Sequence, residues 1–208
     1  MCGRCRVSRA SVDAAQHLCE ELNSSHSSSS SSCSSSCSSS CSSLPFNPDE
    51  VPRENLSPGF KIPVVVSDSQ NSQNSQKFKV QPIIWGLIPS FTKATEKPTH
   101  YKLFNKRIET LFEKNHYQGL LKNKRAVGVI DGFYEWKNEL AGKQPYYVQF
   151  KSNEPVQVAV LTDSWTGPDS KVVETCSILT CASCPSMNSQ LHERQPVILP
   201  QNLIKSWW

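Results

Sequence analysis

The chain has 208 residues, 37% of them apolar and 19% charged, and a formal net charge of +4. Those values exclude a fibrous or wholly disordered chain and fit one globular domain carrying some unstructured sequence. A domain of about 150 residues buries roughly 70% of the surface its unfolded chain exposes, so neither disulfides nor a structural metal is needed to hold it.

The opening Met1-Cys2-Gly3-Arg4-Cys5-Arg6 contains no apolar run of signal-peptide type, and no later stretch reaches 18 uninterrupted apolar residues. The chain is therefore expected away from membranes and in a reducing compartment, where its nine cysteines stay thiols unless they bind metal or react. Helical spacing predicts a helix over Val12–Leu22, with Ser11 as its N-cap. Residues 24–43 are serine except for His26, Cys33, Cys37 and Cys41. Such a tract cannot repay the entropy of ordering and is expected to be a disordered insertion in a single domain spanning 1–208. Its evenly spaced cysteines read as drift within a serine repeat rather than as a metal site.

Beyond the tract, β-branched or aromatic runs predict strands at Ile62–Val66, Val80–Trp85, Ala126–Ile130, Tyr146–Phe150, Val156–Leu161 and Cys176–Thr180. Polar Ser67–Gln76 reads as a hairpin loop or a linker, and Glu109–Leu121 as a second helix. Regular strands with few helices imply an α+β, β-rich domain with a barrel-like mixed sheet. Between Lys93 and Arg125 nine basic residues stand against three acidic ones, a stretch equally suited to phosphate contacts or to a solvated face.

Removal of Met1 would give Cys2 a thiol and an α-amine on adjacent carbons. With pKa values of about 8.5 and about 7.7–8.0, both groups are partly nucleophilic near neutrality. Such an aminothiol condenses with aldehydes through an imine to a five-membered thiazolidine. Taken alone, Cys2 reads rather as a small buried or incidental cysteine. Asn105 offers two donors and an acceptor, or simply caps a turn. Glu135, between Tyr134 and Trp136, is either a desolvated proton shuttle or a strand-end carboxylate paired with a surface lysine. His192 is a candidate acid or base, or a structural histidine. A tryptophan in a strand, such as Trp85, is more often core than platform. Cys181-Ala-Ser-Cys184 lacks a second pair or nearby histidines, so no metal and no cofactor is expected.

Five segments occur in a fixed order: Met1-Cys2-Gly3-Arg4, Trp85-Gly86-Leu87-Ile88-Pro89-Ser90, Asn105 to Thr110, Asp131-Gly132-Phe133-Tyr134-Glu135-Trp136, and Leu191 to Pro196. In that order they resemble the SOS-response-associated peptidase (SRAP) family. The resemblance implies a monomeric protein that binds single-stranded DNA containing abasic sites and joins its N-terminal cysteine to the ring-opened sugar. It implies removal of Met1, catalysed by the protein itself, and strand cleavage by β-elimination. It assigns Cys2, Asn105, Glu135 and His192 to catalysis. Arg4, Arg107 and Arg194 would grip phosphates, while Trp85, Leu87 and Pro89 would form an apolar wall against the bases. A nuclear location follows from that DNA role. Two other readings remain open: an N-terminal-nucleophile peptidase acting on Met1 or other peptides, and a non-catalytic DNA-binding module. Family members usually continue well past the position of Trp208, so an apparent C-terminal truncation, with an uncovered sheet edge, is expected.

Overall fold

The computed structural model describes residues 3–24, 53–68, 77–93 and 103–208. Cys2 and, from residue 25 onward, the serine tract lie outside the described residues. In chain order the elements are β1 (Arg4–Val7), α1 (Arg9–Ser24), β2 (Arg53–Leu56), β3 (Lys61–Asp68), β4 (Lys77–Trp85) and β5 (Asn105–Arg107). A 3-10 turn (Ile108–Glu113), α2 (Asn115–Asn123), β6 (Arg125–Ile130), β7 (Gly132–Glu139) and β8 (Gly142–Val148) follow. The chain ends with β9 (Val156–Thr166), β10 (Val172–Ala182), α3 (Pro185–Gln190), β11 (Arg194–Pro196) and α4 (Gln201–Trp207).

Five strands close a barrel in the order β10-β4-β3-β6-β9, with β9 returning to β10. Every junction is antiparallel except β10–β4. The predicted hairpin is real, since Asp68 pairs with Lys77. Barrel strands are buried on both faces, which is why they read as continuous apolar runs rather than strict alternation. Val64, Ile130, Val158, Val160 and Ile178 fill the interior. On the outside, Val65, Val127 and Val129 meet Ala15, Leu18 and Leu22 of α1 and Ile204 of α4. Ala159, Leu161 and Leu179 meet Tyr117 and Leu120 of α2.

A second sheet, β2-β1-β7-β8, lies against the barrel through Cys5, Val7 and Phe133. Its geometry explains the glycine of Asp131-Gly132. A Cβ at Gly132 would stand 2.4 Å from the Val148 carbonyl oxygen, so no side chain fits where β7 begins beside β8. Asp131 anchors the start of α1: its carboxylate accepts from Ser8 Oγ at 2.9 Å and from Ser11 Oγ.

Ser8, not Ser11, caps α1. The Ala10 N–H donates to Ser8 Oγ, and the Ser8 N–H donates back to Ser11 Oγ three residues on, the reciprocal arrangement of a capping box. The expected helix over 109–121 is two pieces, because Lys114 is extended with φ −128° and ψ 128°. The barrel ring itself has no open edge, whereas β11, which pairs only with β10, and β2 and β8 of the second sheet are edge strands. The ring closes through β9–β10, and α4 packs across β3 and β6. Trp207 Nε1 donates to the Ala126 carbonyl at 3.0 Å, and the Trp208 ring lies 4.7 Å from that of Phe78.

Candidate functional site

The Trp85–Ser90 segment is built into the core. Trp85 is fully buried and Leu87 is 1% exposed. Trp85 Nε1 donates to the Phe104 carbonyl at 2.8 Å, and the two rings meet edge to face. Gly86 has φ +134°, a conformation that side chains resist, and its N–H reaches the Cys176 carbonyl at 2.8 Å. Ile88 N–H then donates to Thr175 Oγ1 and Ser90 N–H to Asp163 Oδ2. Trp85 and Leu87 therefore present no face to a base. The apolar-wall role expected of them is corrected: Trp85 packs in the barrel interior, and Leu87 on the outer face of the barrel with Leu111 and Tyr117. Pro89 is half-buried where the segment returns to the surface.

Glu135 and His192, 57 positions apart by their numbers, come together. Alternation along β7 turns Glu135 to the same side as core residue Phe133, and Glu135 is 1% exposed. His192 follows α3 and brings Nε2 to 3.7 Å from Glu135 Oε1. Its other ring nitrogen, Nδ1, accepts the backbone N–H of Arg194 at 2.9 Å. Phe133 and Leu191, near these two residues in the sequence, line an apolar hollow of about 390 Å³ together with Phe150 and Met187, but neither Glu135 nor His192 lines it. Asn105 opens β5, half-buried, opposite Ile178 of β10.

Arg194 is a second correction. Its guanidinium is buried, with NH1 and NH2 donating to Glu109 Oε1 and Oε2 at 2.6 and 3.0 Å. NH2 also donates to the carbonyl and hydroxyl oxygens of Thr180 at 2.7 and 3.1 Å. The fork spans β10, tying β11 on one side to the residues after β5 on the other. Its NH1 and NH2 are thus turned to Glu109 and Thr180 rather than to solvent. Arg4 and Arg107 keep more exposed positions: Arg4 NH1 lies 3.3 Å from Asn55 Oδ1, and Arg107 Nε lies 3.9 Å from Glu109 Oε2. Lys106 instead sits 4.3 Å above the Tyr117 ring. Among the described residues no cluster of three or more histidines, cysteines or carboxylates suits a metal, and no helix is long and apolar enough to cross a membrane.

Glu109 was passed over in the sequence although it stands two residues after Arg107. Its hydrogen bond from Arg194 pulls its pKa from 4.5 down to about 2. A carboxylate depressed in the folded state adds stability that is complete above its unfolded pKa and lost as pH falls through the folded one. Urea titrations between pH 5 and about 2 should therefore show Glu109→Gln losing less stability on acidification than the wild type. Parallel curves would exclude this linkage.

The SOS response associated peptidase family model matches residues 1–208. Abasic site processing protein YoqW of Bacillus subtilis is 32% identical over 75% of this chain and 66% of its own length. Abasic site processing protein HMCES of Xenopus tropicalis is 32% identical over 75% of this chain and 53% of its own. A solved structure of a protein from Bacteroides thetaiotaomicron superposes with a TM-score of 0.60 at 26% identity, covering 74% of this chain and 65% of that one. The chain thus spans between half and two thirds of the length of these three relatives.

Proposed function

Because the chain belongs to the SOS response associated peptidase family, we propose that it processes abasic sites in single-stranded DNA by bonding Cys2 covalently to the ring-opened sugar. The relatives named abasic site processing proteins support the substrate class. The observation that carries the reading is buried Glu135 on β7, with His192 Nε2 3.7 Å from its carboxylate. Arg4 of β1 pairs with Tyr134, the neighbour of Glu135, so β1 runs beside the strand that carries the carboxylate.

The chemistry balances without a cofactor. With Met1 removed, the Cys2 amine adds to the sugar aldehyde, and loss of water gives an imine. The thiol sulfur then bonds to the imine carbon, and its proton goes to the nitrogen, closing the thiazolidine. Both steps move protons at one carbon, work suited to a carboxylate and an imidazole held together. Asn105 would orient the amine, and Arg4 and Arg107 would meet phosphates. Self-removal of Met1, β-elimination of the strand and a nuclear location belong to the same reading.

Intact-mass analysis after incubation with an abasic single-stranded oligonucleotide should show one DNA adduct on the chain lacking Met1, mapped to Cys2. Cys2→Ala should show none. An undiminished adduct in Cys2→Ala, or none in the wild type, refutes the proposal.

A further inference from the structure

We propose that Glu109 is a positioning residue for His192, acting through Arg194 to fix which imidazole nitrogen carries the proton. The inference rests on the reading of Glu135 and His192 as the proton-handling pair.

The steps are geometric. A ring nitrogen that accepts a hydrogen bond offers a lone pair, so the Arg194 N–H at 2.9 Å leaves Nδ1 of His192 unprotonated. The neutral ring then carries its hydrogen on Nε2, the nitrogen facing Glu135. At 3.7 Å this contact is longer than a hydrogen bond. Catalytic contacts of this kind commonly tighten when substrate binds. Protonating Nδ1 would set two N–H groups against each other, so proton traffic is confined to the Nε2 side.

The backbone N–H doing this belongs to a residue whose side chain is unusually restrained. Arg194 makes two hydrogen bonds to Glu109 and two to Thr180. The strand carrying it, β11, has only three residues, too short a ladder to define a peptide plane alone. Glu109 sits beyond the opposite edge of β10, at the start of the 3-10 turn that follows β5. The strand beginning with Asn105 and the loop holding His192 are thereby tied by one guanidinium. Among the described residues, the Glu109 carboxylate meets the side chains of Arg194 and Arg107. Its influence runs through Arg194.

The test uses the full chain labelled with nitrogen-15, in wild type, Glu109→Gln, Glu109→Asp and Arg194→Lys. In the wild type at neutral pH the His192 ring should give one protonated Nε2 and one unprotonated Nδ1 resonance. In Glu109→Gln and Arg194→Lys the two resonances should move together as the tautomers mix, and adduct formation should slow by about 10²-fold, the scale of a reacting group displaced by about 1 Å. Glu109→Asp, which keeps the charge, should recover part of both. Arg194→Lys keeps the backbone N–H and serves as the second test if Glu109→Gln does not fold. An unchanged tautomer signature in either folded variant overturns the proposal. Absence of any wild-type adduct would count against the covalent reading instead, and the resonances would still decide the positioning role.

Discussion

Glu135→Gln is expected to slow adduct formation at Cys2 by about 10²- to 10⁴-fold, the usual contribution of a positioned acid or base. The substitution preserves shape and hydrogen-bonding reach, so the fold should survive and the loss should appear in the single-turnover rate. The sequence left a plainer alternative, a strand-end carboxylate paired with a lysine. That description fits a different residue. Glu139, at the end of β7, lies 3.8 Å from Lys137 Nζ and accepts from Tyr146 OH at 2.7 Å. Glu135, four residues earlier, is buried with His192 as its imidazole neighbour. Burying a carboxylate costs several kcal/mol unless it is compensated (about 3–5 when a partner is removed). A stability-neutral location for it existed at the exposed end of the same strand. Gel-resolved crosslinking at several pH values, with a melting curve for each variant, measures both sides of this argument. A Glu135→Gln rate within about tenfold of wild type would exclude it as the proton acceptor.

The barrel was legible because its strands are buried on both faces. Runs such as Val156–Leu161 need no partner in view to be recognised as strands. Of the second sheet only β8 was legible, and only in part, since the strand expected at Tyr146–Phe150 overlaps Gly142–Val148. Arg4-Cys5-Arg6-Val7 buries only Cys5 and Val7, and four residues of alternation carry little signal. Gly132–Glu139 holds a charge where a core residue would stand, and the local pattern cannot tell a functional carboxylate from an interruption. Two of the five ordered segments carry Glu135 and His192, which the fold brings within 3.7 Å of each other, but the residues around them do not stand as the segments alone suggest. Arg194 and Glu109 are 85 positions apart, so nothing near Arg194 signals that its charge is already neutralised. Trp85 was misassigned for a related reason. An aromatic residue inside a motif is equally consistent with substrate contact and with core, and only the position of Phe104 distinguishes the two.

Trp85→Ala should accordingly behave as a core deletion. Removing a buried Trp side chain costs about 3–5 kcal/mol. The Phe104 carbonyl, which accepts the indole N–H at 2.8 Å, would lose a partner inside the protein, a further loss of about 1–3 kcal/mol if water cannot replace it. In a domain of this size the combined effect lowers Tm by roughly 10 °C or more, a shift thermal denaturation without DNA detects directly. A base-stacking platform predicts the opposite pattern, with unchanged Tm and weakened binding to single-stranded DNA. Trp85→Phe separates the contributions further. It keeps an aromatic ring between β4 and Phe104 but gives up the donor, so it should lose only about 1–3 kcal/mol and bind DNA as the wild type does. The consequence extends to the site itself. Phe104 adjoins Asn105, and its carbonyl also accepts the Ile178 N–H at 2.9 Å. The indole thus helps hold the strand from which Asn105 projects. Trp85→Ala should therefore slow adduct formation even at temperatures where the variant remains folded, whereas Trp85→Phe should largely preserve the rate.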